Sequence, residues 1–233
     1  MYLPKDLRYY QTPVFSVNAG ETQTFFVDVP STARTLYTLA QVTEIAGDAR
    51  ISFSVDNDLI AQNADQGFFN PGNNVSLPAQ PAPGRLFAKK CYPQSEFKVT
   101  IENLSPGARD FRFVVSYLQY EIKVSERRVI GFDQVVPTGT SNFRFRLPSK
   151  AEKLIQFRTG EQQFLDLTIY DLTVDNQELI TGAEGTLFQF GNLTSNFTYA
   201  GYLNYPISQN SNIFLNANNP AGPFTGNFML YYI

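Results

Sequence analysis

Two stretches far apart in this chain carry nearly the same pattern. Phe25–Leu36 reads FFVDVPSTARTL and aligns without gaps to Phe143–Leu154, FRFRLPSKAEKL. Phe25/Phe143, Pro30/Pro148, Ser31/Ser149, Ala33/Ala151 and Leu36/Leu154 are identical, and Val27/Phe145 and Val29/Leu147 are both apolar. Apolar residues alternate up to the shared Pro-Ser, as they do in a half-buried strand that runs into a turn. A chain that repeats such a block must either build one unit twice or bury the same strand in two settings.

Other blocks decide between these. Val55-Asp56-Asn57 has a counterpart in Val174-Asp175-Asn176, and Leu59-Ile60 in Leu179-Ile180, at nearly the same displacement. The first half closes with NLSPGARDFRFVVSY (103–117) and the second with NNPAGPFTGNFMLYY (218–232). Each is an Asn/Pro/Gly turn feeding an aromatic alternating strand. Three blocks in one order point to an internal duplication with its joint near Leu118 to Lys123. The expected domains are therefore 1–120 and 121–233.

Period-2 alternation runs through both halves. Phe25, Val27 and Val29 point one way, as do Ile51, Phe53 and Val55, then Phe97, Val99 and Ile101, then Phe111, Phe113, Val115 and Tyr117. In the second half the same reading takes Phe143, Phe145 and Leu147, then Leu165, Leu167 and Ile169, then Phe228, Leu230 and Tyr232. No stretch keeps a helical period, and Gly, Pro, Asn and Asp clusters separate the strands. The expected fold class is all-β: two tandem jelly-roll-like antiparallel β-sandwich domains from an internal duplication. With 233 residues, 43% of them hydrophobic, and with 21 Phe and 13 Tyr, there is enough material for two aromatic-rich cores.

The formal net charge of −3 offers nothing to a phosphate backbone, so no nucleic-acid partner is expected. Lys5, Asp6 and Arg8 interrupt the opening residues, which suggests neither a signal peptide nor a membrane span. Cys91, the single cysteine, cannot form an intrachain disulfide. Sequons at Asn74, Asn103, Asn192 and Asn196 arise readily by chance in a chain so rich in Asn, Ser and Thr.

The chain has no His. That removes the Ser-His-Asp triad, the Cys-His pair and His-ligated zinc together, and no glycine-rich phosphate loop is present. What remains is a carboxylate pair of the glycosidase kind, drawn from Asp48, Asp56, Asp58, Asp166, Asp171, Asp175 and Glu178. Asp56-Asn57-Asp58 and Asp175-Asn176-Gln177-Glu178 each follow an apolar strand and precede Leu-Ile, which is hairpin-turn chemistry. A calcium-binding loop is the second reading of these clusters and catalysis a distant third. No catalytic residue, cofactor or metal ligand is therefore assigned.

Gly72 to Pro93 and Gly191 to Ser211 are long, weakly patterned and equivalently placed. They read either as contact surfaces or as crossover loops of a Greek key. Tyr199, Tyr202, Tyr205, Phe68 and Phe69 are the candidate interface residues, because aromatic side chains anchor interfaces and also stack on sugars. The absence of Trp weighs against the sugar reading.

The stretch AGETQTFFVDVP (19–30), followed by Gly47-Asp48-Ala49, resembles the bacterial pre-peptidase C-terminal domain. In that small sandwich an AG-x-T-x-x-F-x-V-x-P strand leads to a Gly-Asp-Ala-Asp-Leu-Tyr motif. Arg50-Ile51-Ser52 stands here in place of Asp-Leu-Tyr. This resemblance implies the sandwich fold and a non-catalytic role. As paired jelly-roll-like units without disulfides or catalytic groups, the whole chain also looks like a bacteriophage virion structural protein. That second resemblance implies a capsid or capsid-decorating subunit, made in the host cytoplasm and located in the virion. Its partners would be copies of itself and other virion proteins. The alternative is a carbohydrate-binding module of a bacterial surface or secreted system, with a glycan as ligand.

Overall fold

The computed structural model describes residues 6–41, 49–69, 86–160, 168–184, 188 and 202–233. The chain divides into two compact units, Met1–Val129 and Ile130–Ile233. This division lies beyond the expected joint, because the segment after residue 118 packs on the first unit.

The first unit contains β1 (Arg8–Gln11), β2 (Phe15–Val17), β3 (Thr22–Val27), β4 (Thr35–Gln41), β5 (Ala49–Val55), β6 (Asp58–Asp65), β7 (Leu86–Lys90), β8 (Phe97–Asn103), β9 (Arg109–Phe111) and β10 (Phe113–Leu118). One antiparallel sheet has the order β1-β10-β4-β7, and the other runs β6-β5-β8-β3. β2 and β9 form a separate two-stranded ribbon. The second unit follows with β11 (Arg128–Val136), β12 (Gly139–Phe145), β13 (Lys153–Thr159), β14 (Ile169–Val174), β15 (Gln177–Glu184), β16 (Tyr202–Pro206), β17 (Ile213–Asn219) and β18 (Phe224–Tyr232). Its strands run β16-β13-β18-β11 and β12-β17-β14-β15. Strand for strand, these orders match those of the first unit. Each unit is an all-β jelly-roll sandwich, in which strands neighbouring in sequence cross between sheets rather than pairing throughout.

Alternation places the cores. Ile51, Phe53, Val55, Val99 and Ile101 are fully buried on β5 and β8, and Phe53 meets Phe87 of the opposite sheet at 6.4 Å between ring centroids. In the second unit Phe145, Leu154, Phe157, Tyr170, Leu172, Val174, Leu215, Phe228 and Leu230 form one cluster drawn from both sheets. The register of β14 differs from the sequence reading. Tyr170, Leu172 and Val174 face this core, while Ile169 lies on the other face. Period 2 leaves parity to whichever residue starts the count, and the expected partners Leu165 and Leu167 lie outside the described residues. A break also separates Phe111 from Phe113, which sit on β9 and β10 rather than on one strand.

Two-residue turns close the hairpins β5–β6 and β14–β15. Asp56 and Asn57 have φ of 52° and 62°, and Asp175 and Asn176 have φ of 50° and 67°. Consecutive left-handed residues make a type I′ turn, whose twist suits a hairpin, and Asn and Asp tolerate that region best among residues with a side chain.

Candidate functional site

The acidic turns are corner locks. The Asp56 carboxylate accepts hydrogen bonds from Ser95 Oγ at 2.7 Å and from the Glu96 amide at 2.7 Å. The Asp175 carboxylate accepts from Ser211 Oγ at 2.7 Å and from the Asn212 amide at 2.8 Å. Each serine oxygen also accepts from the amide three residues earlier, Tyr92 N at 2.8 Å and Ser208 N at 2.9 Å. These donors hold Asp175 below the usual carboxylate range, the Ser211 hydroxyl first and the Asn212 amide second. Neutral donors already occupy the carboxylate oxygens, and among the described residues no group of three acidic or Cys side chains is arranged to hold a metal. The remaining carboxylates are dispersed: Asp171 accepts from the Gly182 amide at 2.6 Å, Glu178 accepts from Thr181 Oγ1 at 3.4 Å, and Asp58 joins an ion cluster. Asp48 and Asp166 lie outside the described residues.

Asparagine staples hold the opposite end of each sandwich. Asn103 donates from Nδ2 to Val17 O at 3.0 Å and to Gly107 O at 2.9 Å, while its Oδ1 accepts from the Ser105 amide at 3.0 Å. Asn219 donates to Pro137 O at 3.3 Å and Gly222 O at 2.9 Å, and accepts from the Ala221 amide at 3.1 Å. Both asparagines are buried, so the Asn103 sequon is consumed by structure. The sequons at Asn74, Asn192 and Asn196 lie outside the described residues.

The five candidate interface residues fall in different places. Phe68 and Phe69 are 1% and 0% exposed and pack edge to face at 5.0 Å, so the chain's own residues cover them. Tyr205 is half-buried against the second core and donates its hydroxyl to Gln177 Oε1 at 3.2 Å. Tyr202 pairs through its backbone with Gln156 on β13. Tyr199 lies outside the described residues, as does much of both long loops.

Apolar surface is presented elsewhere. Tyr9, Val135, Phe26 and Tyr92 are 67%, 65%, 62% and 58% exposed. Phe26 lies on β3, the outermost strand of its sheet, with the Lys98 ammonium 5.5 Å from its ring centroid. On the matching strands of the second unit the partners are exchanged: Arg144 of β12 lies 5.7 Å from the ring of Phe214 on β17. A cation over a ring shields an exposed aromatic and places charge on a strand edge, which discourages uncontrolled edge pairing. The sequence held a signal for Phe26, since it is out of phase with Phe25 and Val27. Phe214 is likewise out of phase with Ile213 and Leu215.

Cys91 is fully buried, and desolvation pushes its thiol up to about 11, leaving it an inert core residue. Among the described residues no helix is long and apolar enough to cross a membrane.

No protein-family model matches the chain, and no curated protein is similar to it in sequence. Solved structures do resemble it. The major capsid protein P2 of bacteriophage PM2 superposes with a TM-score of 0.54 at 9% identity, over 97% of this chain and 97% of P2. A quasi-atomic model of the PBCV-1 virus capsid aligns over 100% of this chain and 86% of that one at 7% identity, with a TM-score of 0.42 that supports no argument. The alignment to P2 covers both units, and what it establishes is the fold alone.

Proposed function

We propose that this chain is a non-enzymatic virion structural protein, a capsid or capsid-decorating subunit that acts through protein–protein interfaces. The observation that carries the reading is the likeness in fold to the PM2 major capsid protein, which takes in nearly the whole of both chains. A single sandwich is shared by many unrelated activities, whereas a match over 97% of both chains is a narrower property. The site chemistry agrees with it. The carboxylates of the acidic turns are taken up by hydrogen bonds that fasten corners, and the buried polar side chains staple loops. Copies of the same chain and other virion proteins are the partners in this reading, and the virion is its location.

We also propose that the two units arose by internal duplication. Phe25 and Phe143 occupy equivalent strands, facing Val99 and Leu215. Pro30 and Pro148 each follow the strand, and their carbonyls accept from Ala33 and Ala151 at 2.9 Å in both cases. Corner locks, asparagine staples and type I′ turns recur in the same order.

Sedimentation velocity across a wide concentration range tests the assembly role. Self-association into discrete oligomers or shells, with no glycan required, is expected. A monomer at all concentrations that binds a glycan would replace this reading with the carbohydrate-binding one.

A further inference from the structure

The sheets β1-β10-β4-β7 and β12-β17-β14-β15 end in four edge strands, and these differ in charge. An edge strand leaves a row of backbone N–H and C=O groups open to another chain, which proteins commonly guard with charged side chains. Three of the four carry cations. On β7, Lys89 pairs with Asp58 at 2.6 Å and with Glu126 at 3.0 Å, and Lys90 pairs with Glu121 at 2.8 Å. On β12, Arg144 donates to Asn212 and lies over the ring of Phe214. On β1, Arg8 is exposed and has no partner among the described residues. The fourth edge, β15, is acidic. Glu178 and Glu184 are exposed on it, neither meets a cation among the described residues, and the chain has no Lys or Arg after Arg158.

We propose that β1 of one copy of the chain adds to the open edge of β15 of a second copy, with Arg8 set against Glu178 or Glu184. Strand addition takes its affinity from main-chain hydrogen bonds and its selectivity from side chains, and here the carboxylates of β15 admit a cationic strand and repel an acidic one. Arg8 is the edge cation that no other group holds. Asp6 lies in the turn before β1 and stays outside the paired stretch. Two register shifts against β14 divide β15 into short stretches, which suits a strand of four residues such as β1. Tyr9, the most exposed of the chain's large hydrophobic side chains at 67%, gains cover in the contact. Because the two surfaces differ, each bound pair keeps one β1 and one β15 open, so the contact propagates head to tail. The inference names a contact for the assembly role proposed above and rests on that role for its partner, a second copy.

Charge reversal in the full chain, followed by sedimentation velocity, tests it. Arg8→Glu should weaken self-association about tenfold, and so should Glu178→Lys combined with Glu184→Lys, because a cross-strand ion pair becomes a contact of like charges. All three substitutions in one chain should restore it. The three side chains are exposed, so the sandwiches should stay folded, as circular dichroism would show. If a variant does not fold, hydrogen exchange of the wild type decides: amides of β1 and β15 should gain protection together as protein concentration rises. Self-association indifferent to the reversals, a triple variant that does not recover, or no gain of protection in these two strands would overturn the seam and leave the capsid reading standing. A chain that stays monomeric at every concentration would overturn it as well, and the presence of the chain in particles would then judge the capsid reading separately.

Discussion

Replacing Tyr170 with phenylalanine removes one oxygen atom from the middle of the second core. The side chain is 0% exposed, and its ring packs against Phe157, Phe188 and Phe228 at centroid distances of 6.2, 6.4 and 5.7 Å. Its hydroxyl has no hydrogen-bond partner among the described residues. A buried polar group left unpaired costs about 1–3 kcal/mol, whereas the small void left by deleting one oxygen costs a fraction of that. Tyr170→Phe should therefore stabilise the unit by about 1 kcal/mol, which for a domain of roughly 100 residues raises Tm by about 4–8 °C. Burial also pushes the Tyr170 pKa up from 10.0. The neutral phenol is thus the form the fold favours, so its contribution is complete below the ordinary tyrosine pKa and is lost as pH rises above it. The advantage of the variant should widen above about pH 10. Urea unfolding of both proteins at pH 7 and pH 10.5, followed by near-ultraviolet circular dichroism, measures both effects. A variant less stable than the wild type by 1 kcal/mol or more would show that the hydroxyl is paired, and the reasoning would fail.

Other substitutions test the repeated devices. Asn103→Ala should cost about 2–4 kcal/mol in chemical denaturation, because it strands the Val17 and Gly107 carbonyls and the Ser105 amide; a loss under 1 kcal/mol would mean the staple is dispensable. Asn57→Val and Asn176→Val each force a β-branched residue into the left-handed region and should cost about 1–2 kcal/mol, whereas glycine at either position should be tolerated. Cys91 should resist iodoacetamide at pH 8 in the native protein and react fully in denaturant, as mass spectrometry would show; rapid native labelling would contradict its burial.

Much of this fold was legible in the sequence because burial on one face of a strand leaves a period-2 trace. Phe53, Val99, Val115 and Leu230 are core residues as their alternation implies. The trace fails where both faces are covered. Along β18 the side chains of Phe228, Met229, Leu230, Tyr231 and Tyr232 are all buried, so alternation there says nothing of orientation. The irregular segment 119–127 left no signal either, since its contacts join residues such as Lys89 and Glu126 that no local pattern connects. Phe68 and Phe69, named as interface candidates for being aromatic, are carried inward by the preceding strand and 3₁₀ turn, since aromatic character alone does not tell a core residue from an anchor. The pre-peptidase resemblance rested on a short run of common strand residues. Arg50, which departs from that motif, pairs with buried Asp65 at 2.8 Å across β5 and β6.

Co-sedimentation with particles tests the proposed virion role. Particles from the source culture, separated on a density gradient and analysed by quantitative mass spectrometry, should contain this chain in a fixed, many-copy ratio to their nucleic acid. Finding the chain only in the fractions of free monomers, with particles lacking it, would contradict the account.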